Sequence, residues 1–245
     1  MAPPPGWMVL PVALIIGSFL GVVVRRLPAG QALAFARSCC EACGHVLGVR
    51  ELVPLASFAL QSGRCLHCRA RIDFFHPAIE LAALAVALTA LLFTPPGWAV
   101  WANAMLGWAL LTASWIDIEH YQLPDIIVLP VLLAGLALTW LRAPWSIYDH
   151  AFAAALGYSA FRLLDEFYRR LRGHHGLGQG DAKLLAAAGA WAGLAAMPGI
   201  VLAAGLLGLA AALPLALRRG QGGRTMIPFG PALALAFYGA VLLAG

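Results

Sequence analysis

The sequence predicts an all-α polytopic membrane protein of about eight transmembrane helices, with a small cytoplasmic domain between the first and second. Three observations carry that reading. Of 245 residues, 62% are hydrophobic and only 11% are charged, whereas a soluble domain is about 45–50% apolar and about 25% charged. Apolar windows of about 20 residues, the length that crosses about 30 Å of hydrocarbon, recur along the chain. The basic residues fall unevenly among the connections between those windows. The same composition excludes a disordered chain, a collagen-like repeat and a disulfide-dense scaffold. The net charge of +5 reads as membrane topology, and no nucleic-acid partner is expected.

In order, the predicted spans are Trp7 to Val24, Pro77 to Phe93, Gly97 to Ile116, Asp125 to Leu141, His150 to Leu164, Asp181 to Met197, Gly199 to Leu217 and Ile227 to Leu243. Pro95, Pro96 and Gly97 separate the second from the third, and Pro198 with Gly199 separates the sixth from the seventh. Arg162 lies inside the fifth and Asp165 just beyond it. This divides the chain into 1–24, the first helix; 25–76, a water-facing domain; and 77–245, seven further membrane helices.

Fifteen of the sixteen Lys and Arg residues lie in the connections after spans one, five and seven or at their edges, and Arg142 alone lies on the other side. The positive-inside rule makes the side with fifteen the cytoplasm and puts both termini outside. The first span is read as an anchor and not a cleaved signal peptide. Residues 1–6 carry no Lys or Arg, while Arg25 and Arg26 follow the apolar run.

The 25–76 stretch is too short to hold together on apolar burial alone, since domains below about 70–80 residues seldom do. Its staple is visible in Cys40-Glu-Ala-Cys43 and Cys65-Leu-His-Cys68, two C-x-x-C pairs with 21 residues between them. Four thiolates at that spacing close a tetrahedral structural zinc site. A reducing cytoplasm disfavours the alternative of two disulfides. Cys39 is a competing ligand for Cys40, but its three-residue spacer to Cys43 breaks the symmetry with the second pair. His45 and His67 are read as neighbours of the site.

Carboxylates are costly in hydrocarbon and mark function when they stand in or at the edge of a span. Five do so here: Glu80, Asp117, Glu119, Asp125 and Asp181, all toward the cytoplasmic side of the predicted topology. Two converging carboxylates divide the work of a general base on water and a general acid toward a carbonyl. A capping or interfacial role is the alternative for Glu119, Asp125 and Asp181. Asp181 follows Gly176-Leu-Gly178-Gln-Gly180, where missing side chains let an extended peptide approach. Dinucleotide binding is not indicated, because no strand pattern precedes these glycines and the G-x-G-x-x-G spacing is not completed. Helix position alone casts Asp181, at the start of its span, as the base, and Asp117, near the end of its own, as the acid.

Along nearly its whole length the chain resembles the bacterial type IV prepilin peptidases, GxGD-type aspartyl proteases also described as leader peptidase/N-methyltransferases. The matching stretches are Gly17-Ser-Phe-Leu20 with Arg26-Leu-Pro28, the paired C-x-x-C motifs, Phe75-His-Pro-Ala-Ile-Glu80, Asp117 through Leu-Pro-Asp125, Gly178-Gln-Gly-Asp-Ala-Lys183 with Gly189-Ala-Trp191, and Pro228-Phe-Gly-Pro231. Gly21 departs from the family, which usually has Asn there, and Glu41 stands where Pro is common. The resemblance implies a bacterial inner-membrane enzyme that cleaves the leader of prepilins or type II secretion pseudopilins at the cytoplasmic face. It further implies N-methylation of the new N-terminus with S-adenosylmethionine. Catalysis is assigned to Asp117 and Asp181, while Glu80, Glu119, Asp125, Gly178 and Gly180 are candidates for docking the basic leader and its extended backbone. A presenilin-like or signal-peptide-peptidase-like GxGD protease and a transporter are the rival readings. The cysteine domain and Pro-Phe-Gly-Pro segment argue against the first. Carboxylates gathered at one edge, away from the midplane, argue against the second.

Overall fold

The computed structural model describes residues 4–33, 38–174, 176–219 and 228–244, with the side chains of 214–219 left aside. Arg37 and Arg224, both counted in the charge asymmetry, lie outside the described residues, as do the side chains of Arg218 and Arg219. Eight α-helices occur among the described residues: α1 Val9–Arg26, α2 Ala56–Leu60, α3 Phe75–Phe93, α4 Trp98–His120, α5 Asp125–Arg142, α6 Ile147–Arg172, α7 Gln179–Arg219 and α8 Gly230–Ala244. They divide into two compact units, Met1–Trp108 and Ala109–Gly245, with α4 running through the boundary.

Among the described residues, five stretches are long and apolar enough to cross a membrane: Gly6–Arg26, Phe75–Phe93, Trp98–His120, Asp125–Arg142 and Gln179–Leu213. The eight predicted segments therefore fall on seven helices, two of them on α7. The fifth, on α6, carries too many polar residues to join the set, and α8 is apolar but only 15 residues long.

In the first unit α1 buries Val9, Ala13, Gly17, Leu20 and Val24, a stripe at three- and four-residue spacing. Opposite it α3 presents Ala83, Ala87 and Ala90. A Cβ on Gly17 would stand 2.8 Å from the Glu80 Cα, so the two backbones meet where a side chain is missing. This is how membrane helices pack without a hydrophobic driving force between them. Arg25 and Arg26 occupy the last turn of α1, where cations complement the exposed carbonyls.

In the second unit α6 ends at Gly173 in the left-handed conformation (φ +79°), a C-cap that suits glycine. Gly189 faces the α6 backbone so closely that a Cβ would be 2.6 Å from the Ala153 carbonyl carbon. The expected break at Pro198 and Gly199 is displaced: the chain turns at Gly193, with φ +72° and ψ 178°. Leu185 and Met197 lie on either side of that turn, and both would touch a Cβ placed on Gly157 of α6. Twelve residues of straight helix would separate them by about 18 Å, so α7 is bent sharply between them. Proline keeps a helical φ while it removes one hydrogen bond and crowds the preceding turn, whereas the φ/ψ pair at this turn is one that glycine adopts. Asp149 receives the Leu194 N–H at 3.0 Å and caps the second arm.

Candidate active site and metal centre

Each C-x-x-C pair forms the same tight knuckle. The Gly44 N–H donates to the Cys40 carbonyl at 2.8 Å and the Cys40 N–H to the His45 carbonyl at 2.8 Å; in the second pair Arg69 donates to Cys65 at 3.0 Å and Cys65 to Ala70 at 2.9 Å. Both Gly44 and Arg69 take positive φ. The Cys40, Cys43, Cys65 and Cys68 sulfurs all lie within 4.8 Å of one another, a cluster suited to a metal ion. A regular tetrahedron with metal–sulfur bonds of about 2.3 Å has edges of about 3.8 Å. The Cys40–Cys68 sulfur separation is 3.8 Å.

Backbone N–H groups of Cys43 and Ala42 pull the Cys40 thiol down to about 7. Cys43, despite the favourable His45 N–H, is pushed up to about 11 by partial desolvation and the sulfurs of Cys68 and Cys40. Four sulfurs this close thus need a cation to carry four negative charges together. Cys39 lies outside the cluster in a bridge to Val46, and His45 and His67 pack edge to face at 3.7 Å.

In the same unit Glu80 is buried. Its Oε2 accepts the Leu55 N–H at 2.8 Å, which ties α3 to the segment leading into α2.

The second unit brings Asp117 and Asp181 together around Leu123. Asp117 stands in the last turn of α4 and Asp181 in the first turn of α7, both buried. A Cβ on Gly180, beside Asp181, would be 2.6 Å from the Leu123 Cβ. One on Gly230 would be 2.7 Å from Asp117 Oδ2 and 3.2 Å from Leu123 Cδ2. Missing side chains at 180 and 230 therefore let α7 and α8 close on the same leucine and set the carboxylates within electrostatic reach of each other.

Asp181 Oδ2 accepts the Gly178 N–H at 3.2 Å, the reach-back bond of a capping box at its own helix start. Asp117 Oδ2 accepts the Gly230 N–H at 3.0 Å where α8 begins. Both carboxylates therefore meet a helix N-terminus, so position along the helix does not set Asp117 and Asp181 apart as expected from the sequence. Asp125 binds Lys183 through both oxygens, at 2.6 and 2.7 Å, and so joins the first turns of α5 and α7. Glu119 accepts the Trp115 indole N–H at 3.1 Å.

Asp165 has no role in the sequence reading, where it only bounds a span. It is buried on α6, and its Oδ1 accepts the Gly176 and Leu177 N–H groups at 3.0 and 3.1 Å. It thus fixes the loop leading into Asp181. The sequence signal was weak, because Asp165 stands beside Glu166 and between Arg162 and Arg169 and so reads as part of a charged helix end.

Two buried aspartates brought together at helix ends are the arrangement that an intramembrane aspartyl protease requires, and the first unit adds a four-cysteine cluster that could hold a metal ion. Residues 12–94 match the bacterial peptidase A24 N-terminal domain and residues 104–213 the type IV leader peptidase family. The prepilin leader peptidase/N-methyltransferase of Aeromonas hydrophila is 35% identical over 94% of this chain and 88% of its own length. That of Burkholderia pseudomallei (strain 1026b) is 39% identical over 90% and 80%. The type 4 prepilin-like proteins leader peptide-processing enzyme of Escherichia coli O78:H11 is 35% identical over 91% and 88%. No solved structure matches. The chain belongs to the type IV prepilin leader peptidase family.

Proposed function

We propose that the chain is a membrane-embedded aspartyl endopeptidase that removes the leader of type IV prepilins or type II secretion pseudopilins at the cytoplasmic face of the bacterial inner membrane, and then N-methylates the new N-terminus with S-adenosylmethionine. The observation that supports it is the approach of Asp117 and Asp181 around Leu123, which the missing side chains at Gly180 and Gly230 allow. One carboxylate takes a proton from water as the oxygen attacks the scissile carbonyl, and the other donates to the carbonyl oxygen. The proton then returns to the departing amine.

Glu119 and Asp125 lie on the rim where a basic leader would dock, the latter through exchange with Lys183. The division of labour is 1–24 as the first membrane helix, 25–76 as a zinc domain held by Cys40, Cys43, Cys65 and Cys68, and 77–245 as the peptidase. Both termini are periplasmic and the zinc domain cytoplasmic, as the basic residues require. Zinc fits the donor set, since four thiolates satisfy a closed structural site.

Purified protein and a candidate prepilin, followed by mass spectrometry, test the reading. Loss of the leader and gain of one methyl group are expected. Asp117→Asn or Asp181→Asn should abolish leader loss, and cleavage at the wild-type rate by either variant overturns the assignment.

A further inference from the structure

The second activity needs a place for a water-soluble donor, and the first unit contains a cavity of about 680 Å³. Ligand sites run from roughly 300 to 1,000 Å³. Gly21 and Arg25 from α1, Glu80 from α3, and Phe58, Ile72 and Asp73 from the cysteine-bearing segment line it. The charges are ordered. Arg25 donates to Asp73 Oδ2 at 2.7 Å and its guanidinium stacks 4.3 Å from the centre of the Phe75 ring. Glu80, 8% exposed, holds a carboxylate among membrane helices. Such a group is costly to bury and gains from a cation brought to it. Gly21 gives the wall a bare backbone position, where a Cβ would meet Ile79, Phe75 and His76 in ordinary contact at 3.5 to 3.8 Å.

We infer that this cavity is the methyl-donor site, taking an adenosyl sulfonium with Gly21 as its wall. The ligand's chemistry matches the lining group by group. Glu80 faces its positive charge, Arg25 exchanges Asp73 for its carboxylate, and Phe58 and Ile72 cover the flat adenine. When the donor is bound, the free amine of the cleaved pilin forms a bond to the methyl carbon as the carbon–sulfur bond breaks. The sulfur keeps the electron pair as a neutral thioether, and the nitrogen's surplus proton leaves to solvent. The assignment rests on the methyltransferase reading and places that activity in residues apart from Asp117 and Asp181.

The test uses full-length protein in detergent. Binding of S-adenosylhomocysteine, which cannot transfer a methyl group, is measured by calorimetry, and tritiated S-adenosylmethionine is photocrosslinked and mapped. Label within residues 18–80 is expected. Gly21→Leu, which fills the cavity, should weaken binding at least tenfold while leader cleavage and metal content stay at wild-type values. Glu80→Gln keeps the shape and an acceptor for Leu55, so tenfold weaker binding is expected there too, even if Gly21→Leu fails to fold. Label within residues 109–245, or wild-type binding by either variant, overturns the site and leaves methyl transfer standing. Wild-type protein that neither binds the probe nor methylates overturns the methyltransferase reading itself.

Discussion

The backbone N–H of Gly230 donates to Asp117 Oδ2 at 3.0 Å across 113 residues of chain. This bond turns the start of α8 toward a carboxylate on α4, and a Cβ at 230 would stand 2.7 Å from the same oxygen. Gly230→Ala must therefore push the Asp117 carboxylate aside. A displacement near 1 Å costs about a hundredfold in rate, so leader cleavage should fall by that order with thermal stability little changed. Wild-type turnover in a folded variant would show that Asp117 tolerates the shift.

Asp165 is expected to act as a positioning residue for the loop before Asp181. Asp165→Asn keeps an oxygen for the Gly176 and Leu177 N–H groups, whereas Asp165→Leu leaves both without that acceptor. A buried unsatisfied group costs about 1–3 kcal/mol. The leucine variant should lose at least tenfold in kcat with KM nearly unchanged, and the asparagine variant should recover most of it. A loss confined to stability, with normal kcat in the remaining folded fraction, would make Asp165 merely structural.

Two glycines six residues apart test where α7 turns. Gly193→Ala places a Cβ 2.6 Å from Asp149 Oδ2 at φ +72° and should destabilise the protein by about 1–3 kcal/mol. Gly199 has open space around its Cβ position, so Gly199→Ala should be neutral or stabilising by up to about 1 kcal/mol. Thermal unfolding in detergent separates them, and the reverse order would return the turn to Pro198–Gly199.

Reduced, purified protein should carry one equivalent of zinc, lost in Cys40→Ser and retained in Cys39→Ser. Chelation should lower the melting temperature of the wild type and leave that of a metal-free Cys65→Ser variant unmoved. Full metal content in Cys40→Ser with loss in Cys39→Ser would exchange the two ligands.

Composition and apolar period by themselves determined that the chain is helical and membrane-spanning, because hydrocarbon admits only segments that satisfy their own backbone. Spacing determined the cysteine cluster, since two knuckles of fixed geometry need only meet once. Apolar surroundings marked Asp117 and Asp181 together with Glu80, Glu119 and Asp125, and the choice of the pair among the five came from the family resemblance. Contacts remote in sequence were left to the tertiary structure. The turn at Gly193 depends on Asp149, the glycine loop on Asp165, and the environment of Asp117 on Gly230. Helix position along the chain made the two aspartates look unlike; packing brought a second helix start to Asp117 and removed that difference. Local pattern specifies what each segment is, while a carboxylate's surroundings depend on which distant backbone N–H reaches it, and that is settled only when the helices pack.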